Sequence, residues 1–280
     1  MREFTGLTKV GERVMDALVK PRVSWFYPTA FCGWGEEEQD AINSVLRSEK
    51  FTMGEEVWKF ERELAAYHGR KHAVMVNSGS SANLLMVATL LAWGAVERGD
   101  KVAVPALAWS TTYAPLIQHG LDLQLVDCDD TWNADWKDNS GSSLMVLCSI
   151  LGNPCTKPPL KYYPDIVIED NCESIGAVSE NGYKAGTWGR MSSFSFFYSH
   201  QLSAIEGGAI LTDDDDCDRT LRMLRSHGWT KDIKHPESFE DEYDFQVFGY
   251  NVRPLEMHAA VARVQLKKLD AGNEARRRNS

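Results

Sequence analysis

The chain has 280 residues, of which 43% are hydrophobic, and a formal charge of −10. That length is enough to bury a sizeable core, whereas the negative balance argues against a general nucleic-acid or membrane-surface partner. No run of eighteen apolar residues offers a membrane span, and Met1-Arg2-Glu3-Phe4-Thr5 opens neither a secretory apolar core nor an Arg-rich transit peptide, which predicts a cytoplasmic protein.

Residues 1–30 read as an N-terminal arm, with Pro21 and Pro28 breaking any long helix. From Gly35, the acids Glu36, Glu37 and Glu38 precede Ala41, Ile42, Val45 and Leu46 at helical spacing, as a helix dipole favours. Phe51-Thr52-Met53-Gly54 makes a loop, and Glu55–His68 is a second amphipathic helix turning Val57, Phe60, Leu64 and Tyr67 to the core.

The apolar strand 73–76 runs into Asn77-Ser78-Gly79-Ser80-Ser81-Ala82-Asn83 and then a helix. A strand, a Gly/Ser turn and a helix start put backbone N–H groups and hydroxyls where a phosphate could sit; an ordinary capped helix start accounts for the same residues. Lys101–Pro105 is another buried strand, followed by Trp109 and a helix over Ser110–Gln118. An aromatic just past a strand's C-terminal end can stack on a planar ring or pack in the core.

Strands follow at 123–127, 143–148 and 165–170, with a loop at 150–154. The strand 165–170 ends in Glu169 and Asp170. A carboxylate there could pair with a protonated ring nitrogen or cap the next turn.

In residues 192–208, small hydroxyls alternate with aromatics up to His200, and Glu206-Gly207-Gly208 then leads into Ala209-Ile210-Leu211. The period of two predicts a strand with polar residues lining a cavity, and the glycines predict a tight turn or close backbone approach. Asp213 to Asp216 suit a helix N-terminus better than a metal site. Residues 231–243 are loop-like, and 249–254 lead into a helix over 255–269 with a basic end at Arg276, Arg277 and Arg278. The six cysteines have no CxC or CxxC pair, so no metal site is expected and reduced thiols are.

Taken in order, FTMG at 51–54, NSGSSAN at 77–83, PALAW at 105–109, LGNP at 151–154, EDNCESIGA at 169–177, SFSFFYSH with EGG, and GYNVRPLEMHAA at 249–260 form one ordered set. The chain from about Trp34 to Asp270 resembles the sugar aminotransferase and dehydratase family of vitamin B6 enzymes (DegT/DnrJ/EryC1/StrS type). An ordered set is far more specific than any one motif.

The resemblance implies an α/β fold of the aspartate-aminotransferase-like kind (fold type I). A mostly parallel sheet in a large domain over 31–250 would be followed from 251 by the start of a C-terminal domain that is apparently cut short. It implies that Gly79, Ser80 and Ser195 hold the phosphate of pyridoxal or pyridoxamine phosphate and that Trp109 stacks on its ring. Asp170 would pair with the ring nitrogen and Glu173 would lie beside the ring hydroxyl. Asn251 would reach the phosphate of a neighbouring subunit's cofactor, in a homodimer with shared sites.

Family aminotransferases carry a Schiff-base lysine where this chain has His200. Imidazole forms no stable Schiff base but moves protons near neutral pH, so the cofactor would be held non-covalently. The change marks the deoxysugar 3-dehydratases, and YSHQLSAIEGG is most similar to the branch acting on GDP-linked 4-keto-6-deoxymannose. The implied reaction removes the C3 hydroxyl of a nucleotide-linked 4-keto-6-deoxyhexose, with His200 as acid and base and glutamate as amino donor. The branch that acts on CDP-sugars couples to an iron–sulfur cluster held by a cysteine set including CxC, a spacing this chain lacks. Two alternatives stand beside this reading: a nucleotide-sugar aminotransferase using a displaced Lys184 or Lys231, and a B6-fold binding protein without turnover.

Overall fold

The computed structural model describes residues 33–135, 141–155, 164–233 and 238–279; the expected arm at 1–30 lies outside them. In chain order the elements are α1 (Glu36–Ser48), α2 (Glu55–His68), β1 (His72–Val76), α3 (Gly79–Ala92), β2 (Lys101–Pro105), α4 (Ser110–Gln118), β3 (Asp122–Val126) and β4 (Leu144–Cys148). There follow β5 (Ile166–Asp170), β6 (Met191–Ser195), β7 (Gly208–Thr212), α5 (Asp215–Arg225), the single turn α6 (Phe239–Glu242) and the long α7 (Glu256–Asn279).

The strands form one seven-stranded sheet in the order β1-β7-β6-β5-β4-β2-β3. Pairs from β6 to β3 are parallel, and β7 runs antiparallel to both its neighbours. This is the mostly parallel α/β sheet expected. Because only β7 is reversed, its first residue arrives at the edge where the parallel strands end.

Side chains alternate across the sheet and build apolar clusters on both its faces. Val74 and Val76 of β1, Val102 and Val104 of β2, Val146, Ile168 and Ile210 face α3 and α5. Met75, Phe194, Ala209 and Leu211 point the other way, against Phe60 and Leu64 of α2 and Val261 and Leu269 of α7. Helix α3 is apolar nearly all round, as a helix covered on every side must be.

Helix α7 lies along α1 and α2, and the described residues all fall in one compact unit. Its first residue joins two of the sequence motifs. The buried Glu256 carboxylate accepts the backbone N–H groups of Gly54 (2.7 Å), Glu56 (2.9 Å) and Val57 (3.0 Å), so it caps α2 from about two hundred residues away. Arg263 binds Glu56 and Glu63, and Lys268 and Gln265 bind the buried Glu38, which fixes the same helix along its length.

Asp214 caps α5 by accepting from the amides of Asp216 and Cys217, the helix-start role expected of these acids. The five described cysteines are free thiols, and among the described residues no helix is long and apolar enough to cross a membrane.

Candidate active site

Six strands run one way and end at the same edge of the sheet, and the loops that leave β1, β2, β4, β5 and β6 surround a cavity of about 380 Å³. Such an edge is where open α/β sheets bind ligands. Beyond β1, Ser78 caps α3 by accepting the Ser81 amide at 3.1 Å, which leaves Gly79 and Ser80 at the helix start, lining the cavity. The first amides of a helix have no internal partner, so this start favours an anion.

Two glycines make the cup possible. A Cβ on Gly79 would lie 2.6 Å from Cβ of Ser195 and 2.7 Å from Sγ of Cys172. Gly208, the first residue of β7, packs backbone to backbone on Ser78, and a Cβ there would stand 2.6 Å from the Gly79 nitrogen. Gly207 supplies the turn, with φ +144°. Both uses expected of the Glu-Gly-Gly turn occur, one at each glycine.

The two acids at the end of β5 point to opposite faces. Asp170, 5% exposed, lines the cavity, where its carboxylate accepts from Asn83 Nδ2 and Thr112 Oγ1, each at 2.7 Å, and from the Cys172 amide at 3.1 Å. That is the acceptor-only pattern of an ionised carboxylate. Glu169 faces away and binds the amides of Gly186, Trp188 and Gly189, pinning the loop before β6.

The expected strand through 192–200 is shorter than its alternating pattern. It ends at Ser195, and the chain then folds back on itself, with the Phe196 amide donating to Gly207 and the Ala204 amide to Phe196. His200 therefore sits on the β6–β7 loop, its ring edge-on to Phe197 with centroids 5.9 Å apart. Burial pushes its imidazole below the ordinary value, against the opposing pull of the Glu173 and Asp170 charges. A neutral imidazole lining the cavity can accept a proton at neutral pH.

Glu173 lies close by, its carboxylate accepting the Leu151 amide at 2.7 Å and its carbonyl accepting Gln201 Nε2. This ties the Leu-Gly-Asn-Pro loop to the His200 loop, and Leu151 (φ 53°) takes the left-handed conformation as the chain turns. Trp109 is 67% exposed at the cavity mouth. Ser195 lines the wall.

Seven of the expected residues, Gly79, Ser80, Trp109, Asp170, Glu173, Ser195 and His200, thus share one cavity. Asn251 does not: it is exposed, outside that lining, and bridges to Ser226, while its neighbour Val252 accepts the Asn77 amide. Neither lysine weighed as a Schiff-base former reaches the cavity. Lys184 Nζ donates to the Tyr67 carbonyl and sits 3.3 Å from the Tyr67 ring centroid, while Lys231 lies over Trp229.

Asn83 and Thr112 were not singled out from sequence, although Asn83 stands four residues after Gly79 and so shares its helix face. The cavity thiols of Cys148 and Cys172 are pushed well above the ordinary range by burial, with the Asp170 charge adding to it, so they stay neutral. Among the described residues no group of His, Cys, Asp and Glu could hold a metal ion.

A model of the DegT/DnrJ/EryC1/StrS aminotransferase family matches residues 34–280. GDP-4-keto-6-deoxy-D-mannose 3-dehydratase of Yersinia pseudotuberculosis is 42% identical over 276 residues, covering 91% of this chain and 70% of that protein. The protein of the same description from Escherichia coli O55:H7 is 42% identical over 275 residues, with 91% of this chain and 71% of its own length covered. A crystal structure of GDP-4-keto-6-deoxymannose-3-dehydratase with a trapped PLP-glutamate geminal diamine superposes with a TM-score of 0.81 at 42% identity, over 87% of this chain and 68% of that one.

Proposed function

We propose that this chain, which belongs to the DegT/DnrJ/EryC1/StrS aminotransferase family, is a vitamin-B6-dependent lyase that removes the C3 hydroxyl of a nucleotide-linked 4-keto-6-deoxyhexose. One observation carries the reading: His200 lines the cavity, and among the described residues no lysine does.

The residues fit pyridoxal or pyridoxamine phosphate held without a covalent bond. The start of α3, where Gly79 and Ser80 line the cavity beside Ser195, suits a phosphate held by helix amides and the two serine hydroxyls. Asp170 has the charge and the fixed position to hold a ring N–H, and the Trp109 indole offers a face for the ring. When bound, the amine form of the cofactor supplies the nitrogen that joins a sugar ketone and a ring that accepts electron density.

His200 moves the proton. Neutral at rest, it takes one up; as imidazolium it delivers it to the C3 oxygen, which leaves as water. Glu173 fixes the loop that faces it and favours the imidazolium electrostatically.

Glutamate as amino donor and a GDP-linked 4-keto-6-deoxymannose as substrate belong to the same reading, on the strength of the relatives' described activity and of the geminal diamine with glutamate in the related crystal structure. So do a cytoplasmic location and a homodimer in which each subunit lends Asn251 to the other's phosphate site. Its exposure outside its own chain's cavity suits that role.

The test incubates purified protein with pyridoxal phosphate, glutamate and GDP-4-keto-6-deoxymannose. Ammonia and a 3,6-dideoxy-4-ketosugar are expected in equal amounts. An aminated sugar without ammonia would mark an aminotransferase, and a bound cofactor with no product would mark a binding protein.

A further inference from the structure

Three side chains from three different elements meet behind Asp170. The Ser193 hydroxyl of β6 lies 2.6 Å from Asn83 Oδ1, its shortest contact, and 3.3 Å from the Glu169 carbonyl. Its single proton therefore goes to Asn83. The two amide protons of Asn83 go to Asp170 Oδ2 at 2.7 Å and to the Thr111 carbonyl at 3.3 Å.

Turning the Asn83 amide over would set its oxygen against two acceptors and its nitrogen against a donor, so the network admits one orientation. Thr112 then donates to the same Asp170 Oδ2 at 2.7 Å. Asn83, Thr112 and Ser193 are all buried, 5% exposed or less.

The two oxygens of Asp170 are consequently unequal. Oδ2 takes two short side-chain donors; Oδ1 takes the Cys172 amide at 3.1 Å, the Ser193 hydroxyl 3.4 Å away having given its proton to Asn83, and keeps lone-pair capacity. A buried carboxylate needs such donors to remain charged. Rotation of the carboxylate would break both short bonds.

We propose that Asn83 and Thr112 are positioning residues that hold the Asp170 carboxylate in place and aim its Oδ1 at the ring nitrogen of the B6 cofactor. This rests on the cofactor reading above. Without the two donors the carboxylate is free to turn, and the ring nitrogen loses its fixed partner.

The experiment loads the protein with pyridoxal phosphate labelled with 15N in the ring and records the nitrogen signal at neutral pH. The unaltered protein should show a protonated ring nitrogen. Thr112→Val, which removes the hydroxyl at nearly constant shape, and Asn83→Leu should move the signal towards the neutral nitrogen and weaken cofactor binding about tenfold or more. Thr112→Ser should restore both.

Folded Thr112→Val protein, with circular dichroism and a melting transition like the parent's, that keeps the parent nitrogen signal and affinity would overturn the proposal. If instead the unaltered protein binds no cofactor, the cofactor reading itself fails and the positioning role with it. Should Asn83→Leu not fold, the Thr112 pair decides alone.

Discussion

Gly208 and Ser78 touch backbone to backbone, joining the start of the one reversed strand to the residue that caps the cup-forming helix. No side chain fits between them. Gly208→Ala should cost about 1–3 kcal/mol by overpacking and displace the amides of Gly79 and Ser80. Thermal unfolding should show a lower midpoint, and titration with pyridoxal phosphate a weaker complex.

His200→Lys should create a covalent site. The loop already carries the residue into the cavity, so reduction of the variant with borohydride in the presence of pyridoxal phosphate should leave a stable adduct at position 200. The unaltered protein should leave none, because Lys184 and Lys231 are engaged elsewhere. Mass spectrometry of peptides from both proteins reads the outcome, and an adduct on unaltered protein contradicts non-covalent holding.

The acid limb of the activity profile follows from His200. Its folded value is depressed from 6.5 by burial, so the neutral form that accepts a proton persists as pH falls through that value and is lost only below it. The limb of kcat/KM should lie below pH 6.5 and disappear in a His200→Asn variant through loss of turnover. A limb above pH 6.5 would place another group in control.

Neighbouring carboxylates should part company on mutation. Glu169→Gln turns an amide nitrogen towards backbone donors that now share three bonds, at a cost of about 1–3 kcal/mol in stability. Asp170→Asn should instead weaken cofactor binding while leaving the loop at 186–189 in place. Chemical denaturation and cofactor titration on each variant separate the two effects.

Much of this architecture was open to reading from residue order. The helix over Ser110–Gln118 and the strand at Lys101–Pro105 fall where the residue order puts them, the strand as an apolar run after Gly99-Asp100. His200 was legible as the deviant residue of a motif, but its loop was not, since serines and aromatics alternate equally well after a strand has ended. Asn83 and Thr112 stayed hidden because their role lies in a hydrogen bond to a residue 87 and 58 positions away, respectively. The capping of α2 by Glu256 is of the same kind: a carboxylate at the start of a helix looks from sequence like a partner for its own dipole, and only the packing of α7 shows which amides it serves.

The reversed strand also sets a timetable for synthesis. Among the described residues β1 lies at the sheet's edge with β7 as its sole strand partner, and about 130 residues separate Val76 from Gly208. At about 5–20 residues per second, the ribosome needs on the order of ten seconds to bridge that gap. During that time His72–Val76 is an apolar strand with open backbone groups on both sides. The nascent chain therefore depends on α2 and α3 to shield it, or on a chaperone, until the closing strand emerges.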